Sequence, residues 1–168
     1  MILELVTSKP LLSQVREIFR EYQISLGVDL CFQDFEQELS NLPDKYTSPK
    51  GRLYLAFIDG TVAGCIALRP LSEEQCEMKR LYVRPRFREK NIGRLLAKQE
   101  IADAYQIGYH QIVLDTLVTI TAAQELYRSL GFCEISEYCF NPIEGVRYMG
   151  LDLQNSNTKC EQSQSITE

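Results

Sequence analysis

Residues 76–98 read CEMKRLYVRPRFREKNIGRLLAK, and this stretch gathers the most concentrated cationic group of the chain. Arg84, Arg86, Arg88, Lys90 and Arg94 surround Asn91-Ile92-Gly93, with Glu89 the only acid nearby. Upstream, Met78, Leu81 and Val83 alternate with polar residues and Pro85 stops the run, so a strand is expected over 77–83. Downstream, Leu95, Leu96, Ile101 and Ala102 recur at helical spacing from Ile92 onward. A helix beginning at 91–93 has first-turn N–H groups with no partner inside the helix, and its dipole adds partial positive charge there. Cations beside such a terminus are suited to a pyrophosphate. The chain contains neither GxxxxGK[ST] nor GxGxxG, which excludes the P-loop and the dinucleotide fingerprint. The alternative is a solvated basic turn that opens an ordinary helix.

The strand ending LYVRP, followed by Arg88-x-x-Asn91-x-Gly93, resembles the R/Q-x-x-G-x-G/A signature of the GNAT superfamily of N-acetyltransferases. A second stretch, Ala123-x-x-Leu126-Tyr127-Arg128-Ser129-Leu130-Gly131-Phe132, resembles the A-x-x-L-Y-x-x-x-G-F segment of the same family. The sequence departs from the pattern at Asn91, which replaces the first glycine, and at Ile120, where many relatives carry asparagine. Asparagine tolerates left-handed backbone angles better than most side chains, so the loop is expected to keep its shape. The resemblance implies an α/β (α+β) GNAT fold. This is a strongly twisted, mixed, mostly antiparallel sheet with flanking helices and one parallel strand pair splayed apart to admit the pantetheine arm.

The resemblance also implies site residues. Acetyl-coenzyme A would lie along the backbone of Leu81, Tyr82 and Val83, with Arg88, Glu89, Lys90, Asn91, Ile92, Gly93 and Arg94 around its pyrophosphate. Tyr127 takes the role of the acid that donates to the leaving thiolate. A phenol, with a reference pKa of about 10, stays protonated at neutral pH and is suited to protonate a thiolate of about 8.5. The alternative for Tyr127 is a packed core residue on an amphipathic helix. Glu77 is the candidate base that takes a proton from the attacking amine, with Glu73 and Glu74 behind it. The alternative for Glu77 is a strand residue paired with Lys79 or Arg80. Tyr138, Phe140 and Asn141, in the segment YCFNPIEG, are candidate walls of the acceptor pocket.

The elements that must position these residues follow from pattern and punctuation. A first strand is expected over 2–6. A helix with Ser8 at its N-cap and Pro10 just inside runs to Gly27, and a second helix covers 32–42. Strands at 53–58 and 62–69 flank Asp59-Gly60, a strong hairpin signal, and lead into 77–83 as a meander. The helix over 92–107 ends at Gly108, and a strand at 111–114 follows, which requires a parallel crossover. Thr121 and Gln124 are spaced as a capping box for a helix closed by Gly131. The last strands are 132–135 and 146–153, so residues 1–153 form one domain. Residues 154–168 form a polar tail expected to be disordered.

Composition narrows the functional classes. The chain has 168 residues and a net charge of −5, which argues against general nucleic-acid binding, so the local basic cluster suits a small anion. No apolar run approaches a membrane span and the N-terminus lacks a cationic leader, so a cytoplasmic protein without a membrane partner is expected. Six scattered cysteines and one histidine have no zinc-like spacing, and no metal is expected. The function expected is transfer of acetyl from acetyl-CoA to a primary amine of a small acceptor by direct attack. The alternatives are a non-catalytic acyl-CoA sensor and a protein-modifying N-acetyltransferase. Homodimerisation is left open.

Overall fold

The computed structural model describes residues 1–31 and 34–154. Its elements are β1 (Ile2–Leu5), α1 (Lys9–Leu26), α2 (Phe35–Asn41), β2 (Arg52–Ile58), β3 (Thr61–Pro70), β4 (Gln75–Val83), α3 (Ile92–Ile107), β5 (Gln111–Thr116), α4 (Thr121–Ser129), β6 (Cys133–Glu134) and β7 (Arg147–Asp152). Short 3-10 turns occupy Asp44–Tyr46 and Pro85–Phe87. The expected second helix is shorter than 32–42, and residues 32 and 33 lie outside the described residues. So does the polar tail, apart from Gln154.

Seven strands form one mixed sheet in the order β1-β2-β3-β4-β5-β7-β6. Asp59 and Gly60 both take left-handed angles (φ 49° and 74°), so the β2–β3 turn is of the primed type that matches strand twist. Only β4 and β5 run parallel, and their ladder is three residues long: Gln75↔Gln111, Cys76↔Ile112 and Glu77↔Val113. Beyond Glu77 the two strands part. β7 is antiparallel to β5 and lies between β5 and β6.

A β-bulge changes which residues of β4 face which side. Cys65 pairs with Tyr82 but Ala67 pairs with Lys79, so Arg80 and Leu81 together oppose one residue of β3. Arg80 adopts φ 60°. Cys76 and Met78 therefore share a face with Leu81 and Val83, packed with α3 and α4 around Ile92, Leu96, Ala104, Tyr127 and Phe132. Tyr82 faces the opposite layer, where α1 and α2 bury Val15, Ile18, Phe19, Phe35 and Leu39. Close contact of α3 with the sheet depends on Gly64. A Cβ there would sit 2.8 Å from the Tyr82 carbonyl oxygen and 3.2 Å from Leu96 Cδ1.

The expected capping box at α4 does not form. Ile120 occupies the N-cap position and Thr121 is already helical, with no side-chain cap bond. Gln124 instead donates through Nε2 to the carbonyls of Leu117 (2.9 Å) and Val118 (3.1 Å), tying the helix to the loop that follows β5.

The α3 layer contains one charged residue that the packing does not satisfy. Glu100 is 0% exposed, and neither carboxyl oxygen has a hydrogen-bond partner among the described residues. Burial, and then the nearby Asp103, raises its pKa well above the ordinary carboxyl value, against a weaker opposing effect of Arg52. An acid whose folded pKa is raised favours the native state below the unfolded pKa and loses that contribution as pH rises toward the folded pKa. Glu100→Met is therefore expected to stabilise the protein by about 1 kcal/mol or more at pH 7. The gain should shrink toward pH 4, and urea denaturation across that range measures it.

Candidate active site

The divergence of β4 and β5 opens a cleft between Met78–Leu81 on one side and Asp115–Leu117 on the other. Tyr22, Leu26, Ile120, Ala123, Tyr127 and Asn141 complete its walls. After β4 the 84–91 turn leads into α3. Asn91 is the N-cap with φ 59° and ψ 14°, and Glu89 is also left-handed at φ 65°. The asparagine thus adopts the angles that a glycine would take, and the first-turn N–H groups at Ile92, Gly93 and Arg94 are presented together. A Cβ at Gly93 would meet only ordinary contacts, 3.6 Å to Leu126 and 3.7 Å to Val83, so packing does not demand a glycine there. Asn91→Gly is expected to leave stability within a few tenths of a kcal/mol. Asn91→Val should cost about 1–2 kcal/mol and weaken coenzyme binding, because a β-branched residue resists left-handed angles. Denaturation midpoints together with calorimetric titration distinguish the two variants.

The cations around this terminus are not all turned toward it. Arg84 binds Glu21 (2.7 Å), Glu17 (3.2 Å) and the Val62 carbonyl (2.8 Å), which commits it to α1. Arg94 Nη2 donates to Ser129 Oγ at 2.8 Å, linking α3 to α4. Arg88 Nε reaches the Val83 carbonyl at 3.3 Å, while Arg86 and Lys90 sit over the Phe87 ring at 4.7 and 5.8 Å. Arg88 and Lys90 belong to the turn itself, and their charges supplement the helix terminus.

Tyr127 lines the cleft from α4, its ring 5.7 Å from that of Phe132. Its hydroxyl makes no hydrogen bond among the described residues. Burial pushes the phenol well above its ordinary pKa, with Tyr22, Asp115 and Glu100 adding to the shift, so it stays protonated.

A second cavity of about 380 Å3 adjoins the cleft, under α2 and the 42–46 turn. Glu38, Lys45, Tyr46, Arg69, Glu77, Lys79, Asp115, Cys139 and Phe140 line it. Glu77 is 1% exposed and both its oxygens are engaged. Oε2 takes Arg69 Nε at 2.5 Å, and Oε1 takes the Tyr138 hydroxyl at 2.8 Å with Lys79 Nζ 3.9 Å away. The carboxylate expected to act as base is thus the hub of a cation and phenol network. Glu73 is directed elsewhere, to Lys50. Asp115 is the acid that pattern reading missed, and it lines both cavities. Its Oδ2 accepts from Asn141 Nδ2 at 2.9 Å, and its other oxygen has no partner among the described residues. A lone aspartate near the end of a six-residue strand gives no sequence signal. The Tyr138–Asn141 segment closes the cavity through these same contacts.

Similarity to other proteins accords with this geometry. The family model for GNAT acetyltransferases matches residues 12–132. The chain belongs to the GNAT family. An uncharacterised N-acetyltransferase of Schizosaccharomyces pombe is 42% identical over 144 residues, which cover 84% of this chain and 88% of that protein. Human N-acetylaspartate synthetase is 34% identical over 120 residues, covering 70% of this chain and 37% of that longer protein. A Salmonella typhimurium acetyltransferase solved with acetyl-CoA shares the fold at a TM-score of 0.69 and 18% identity, covering 96% of this chain and 99% of that one. As a GNAT enzyme the protein is an acetyl-CoA-dependent acyltransferase. The short β4–β5 ladder leaves an extended strand edge, and the left-handed turn before α3 presents a helix terminus. No helix among the described residues is long and apolar enough to cross a membrane.

Proposed function

We propose that the protein acetylates the primary amine of a small acceptor by direct attack within a ternary complex. Asp115 carries this reading, because it borders both the cleft and the adjoining cavity and so marks where amine and thioester would meet. Bound acetyl-CoA supplies the activated acyl carbon. The backbone of Leu81, Tyr82 and Val83 holds the pantetheine arm. The turn from Arg88 through Glu89, Lys90, Asn91, Ile92 and Gly93 to Arg94 holds the pyrophosphate. Asp115 takes one proton of the incoming ammonium, Tyr127 donates its phenolic proton to the departing thiolate, and the second proton lost by the acylated nitrogen restores the phenol. Glu77 serves as a positioning residue that fixes Arg69, Lys79 and Tyr138.

The cysteines favour direct attack over an acyl-cysteine route. Burial raises the thiol pKa of Cys65 and Cys76 well above the ordinary range. Cys139, in the acceptor cavity, is pushed up to about 11 by burial, Asp115 and Glu77. A thiol held protonated is a poor nucleophile. The N-acetylaspartate synthetase relatives favour a small amine over a protein substrate.

Calorimetric titration with acetyl-CoA and with ATP, followed by thiol release over amino acids, polyamines, aminoglycosides and lysine peptides, tests the reading. Micromolar binding of acetyl-CoA but not ATP, with turnover of free amines, is expected. Turnover of peptides alone would point to a protein-modifying enzyme, and binding without any turnover to a sensor. Asp115→Asn should lower turnover about 10²-fold or more with coenzyme affinity unchanged.

A further inference from the structure

A second phenol reaches the coenzyme cleft from the layer opposite to Tyr127. Tyr22 stands near the end of α1, packs against the layer of Val15, Ile18 and Phe19, and is half-buried as it lines the cleft. Tyr127 comes from α4, on the other face of the sheet. The Tyr22 ring is held by two neighbours on β4. It meets the Tyr82 ring edge-on at 6.0 Å, with 63° between the planes, and the Arg80 guanidinium carbon lies 5.9 Å from its centre. Burial pushes the phenol up to about 12, with Arg80 opposing and Asp115 adding, so the hydroxyl keeps its proton at neutral pH.

The polar groups beside Tyr22 are directed to other partners. Lys79 and Arg80, the cations of β4 along the cleft, are each drawn to a carboxylate, Glu77 at 3.9 Å and Glu38 at 2.6 Å. Asn141 donates to Asp115 at 2.9 Å. Thr116, two residues after Leu114, falls by strand alternation on the Tyr127 side of the sheet. The Tyr22 hydroxyl donates to no group among the described residues. A protonated hydroxyl fixed by packing needs no rearrangement to bond a negative charge that develops beside it.

We infer that Tyr22 is a catalytic residue that donates a hydrogen bond to the carbonyl oxygen of the bound thioester. The inference rests on the reading that this cleft holds acetyl-CoA for direct transfer. Two atoms of a thioester gain charge in turn, the carbonyl oxygen as the nitrogen adds and the sulfur as it leaves. Two phenols on opposite faces of the sheet divide them, Tyr22 taking the oxygen and Tyr127 the sulfur. The nitrogen, with one ammonium proton already given to Asp115, bonds to the carbonyl carbon. The displaced electron pair moves onto oxygen, where the bond from Tyr22 strengthens without its proton crossing. The pair then returns, the carbon–sulfur bond breaks, and the thiolate takes the Tyr127 proton. The second proton lost by nitrogen restores Tyr127, and Tyr22 begins and ends protonated.

The test is isotope-edited infrared spectroscopy of acetyl-CoA labelled at the thioester carbonyl and bound without acceptor, joined to thiol release with amines. The bound carbonyl stretch should lie below its solution value in the parent protein, move back up in Tyr22→Phe and stay low in Tyr127→Phe. Tyr22→Phe should lower kcat about 10²- to 10³-fold, the usual worth of one such donor, with coenzyme affinity and acceptor KM within about threefold. Fluorotyrosine at position 22, a more acidic phenol of nearly the same shape, guards against misfolding of the phenylalanine variant and should lower the stretch further. A stretch that neither replacement moves would overturn the inference, as would a Tyr22→Phe variant whose kcat matches the parent. A stretch that responds to Tyr22 without thiol release from any amine would uphold the contact and sink the transfer reading. Failure of the parent protein to bind acetyl-CoA would sink both.

Discussion

Tyr127→Phe is expected to lower turnover about 100-fold while acetyl-CoA binds as before, the usual worth of a positioned acid. The substitution keeps the ring that packs 5.7 Å from Phe132 and removes only a hydroxyl with no hydrogen bond among the described residues. Stability should therefore change by well under 1 kcal/mol, which separates a chemical role from a packing role. Pre-steady-state thiol release at saturating acceptor is the measurement, with calorimetry giving coenzyme affinity on the same preparation. A variant with unchanged turnover would return Tyr127 to the core. The raised phenol also makes a prediction for pH. No loss of activity from Tyr127 ionisation is expected up to at least its ordinary value of about 10.

The largest expected effect on stability lies one layer away. Arg80 and Glu38 form an ion pair at 2.6 Å with side chains only 3% and 6% exposed. A second bond joins Arg80 Nε to Glu38 Oε1 at 3.1 Å, and the guanidinium carbon lies 5.2 Å from the centre of the Phe35 ring and 5.9 Å from that of Tyr22. Removing one partner leaves a buried charge uncompensated, so Arg80→Met is expected to cost about 3–5 kcal/mol. The double variant Arg80→Met/Glu38→Met should recover most of that, because the pair itself is held against a large desolvation penalty. Burial opposes the Glu38 charge, but its bonds to Arg80 outweigh that, and its pKa is lowered. Its contribution is therefore present above the unfolded carboxyl value of about 4.3 and is lost as pH falls through the folded value. That sign is opposite to the one for Glu100. Denaturant titration of Arg80→Met and Glu100→Met against the parent protein from about pH 2 to pH 7 should show a loss and a gain of stability that both shrink as pH falls.

Much of the frame was legible because local chemistry specifies it. Asp59-Gly60 requires left-handed angles at both positions, Gly27 and Gly108 end helices in that same region, and Asn91 tolerates it. The strand–turn–helix at 77–107 and the GNAT resemblance follow from such local signals. What escaped depends on partners far apart in sequence. The spacing Met78, Leu81, Val83 has one odd step, and that step is the bulge, but a pattern of three apolar residues does not say that Arg80 will reach Glu38. Glu77 was readable as a carboxylate near the thioester. Its capture by Tyr138 reaches across 61 residues of sequence, beside the bond to Arg69 on the neighbouring strand. Asp115 carries no motif and acquires meaning only where two cavities meet.

The place of β7 has a consequence for how the chain matures. The strand nearest the C-terminus of the domain is inserted between β5 and β6 rather than added at an edge. During synthesis the β1–β4 meander has all its pairing partners early, and both flanking layers of helix can begin to close on it. β5 gains its antiparallel neighbour only once residues 147–152 have emerged. The wall that carries Asp115 is thus the last part of the site to become rigid. Until then the nascent chain has a nearly complete coenzyme turn beside an unsupported strand edge, the kind of exposed edge on which chaperones and aggregation compete.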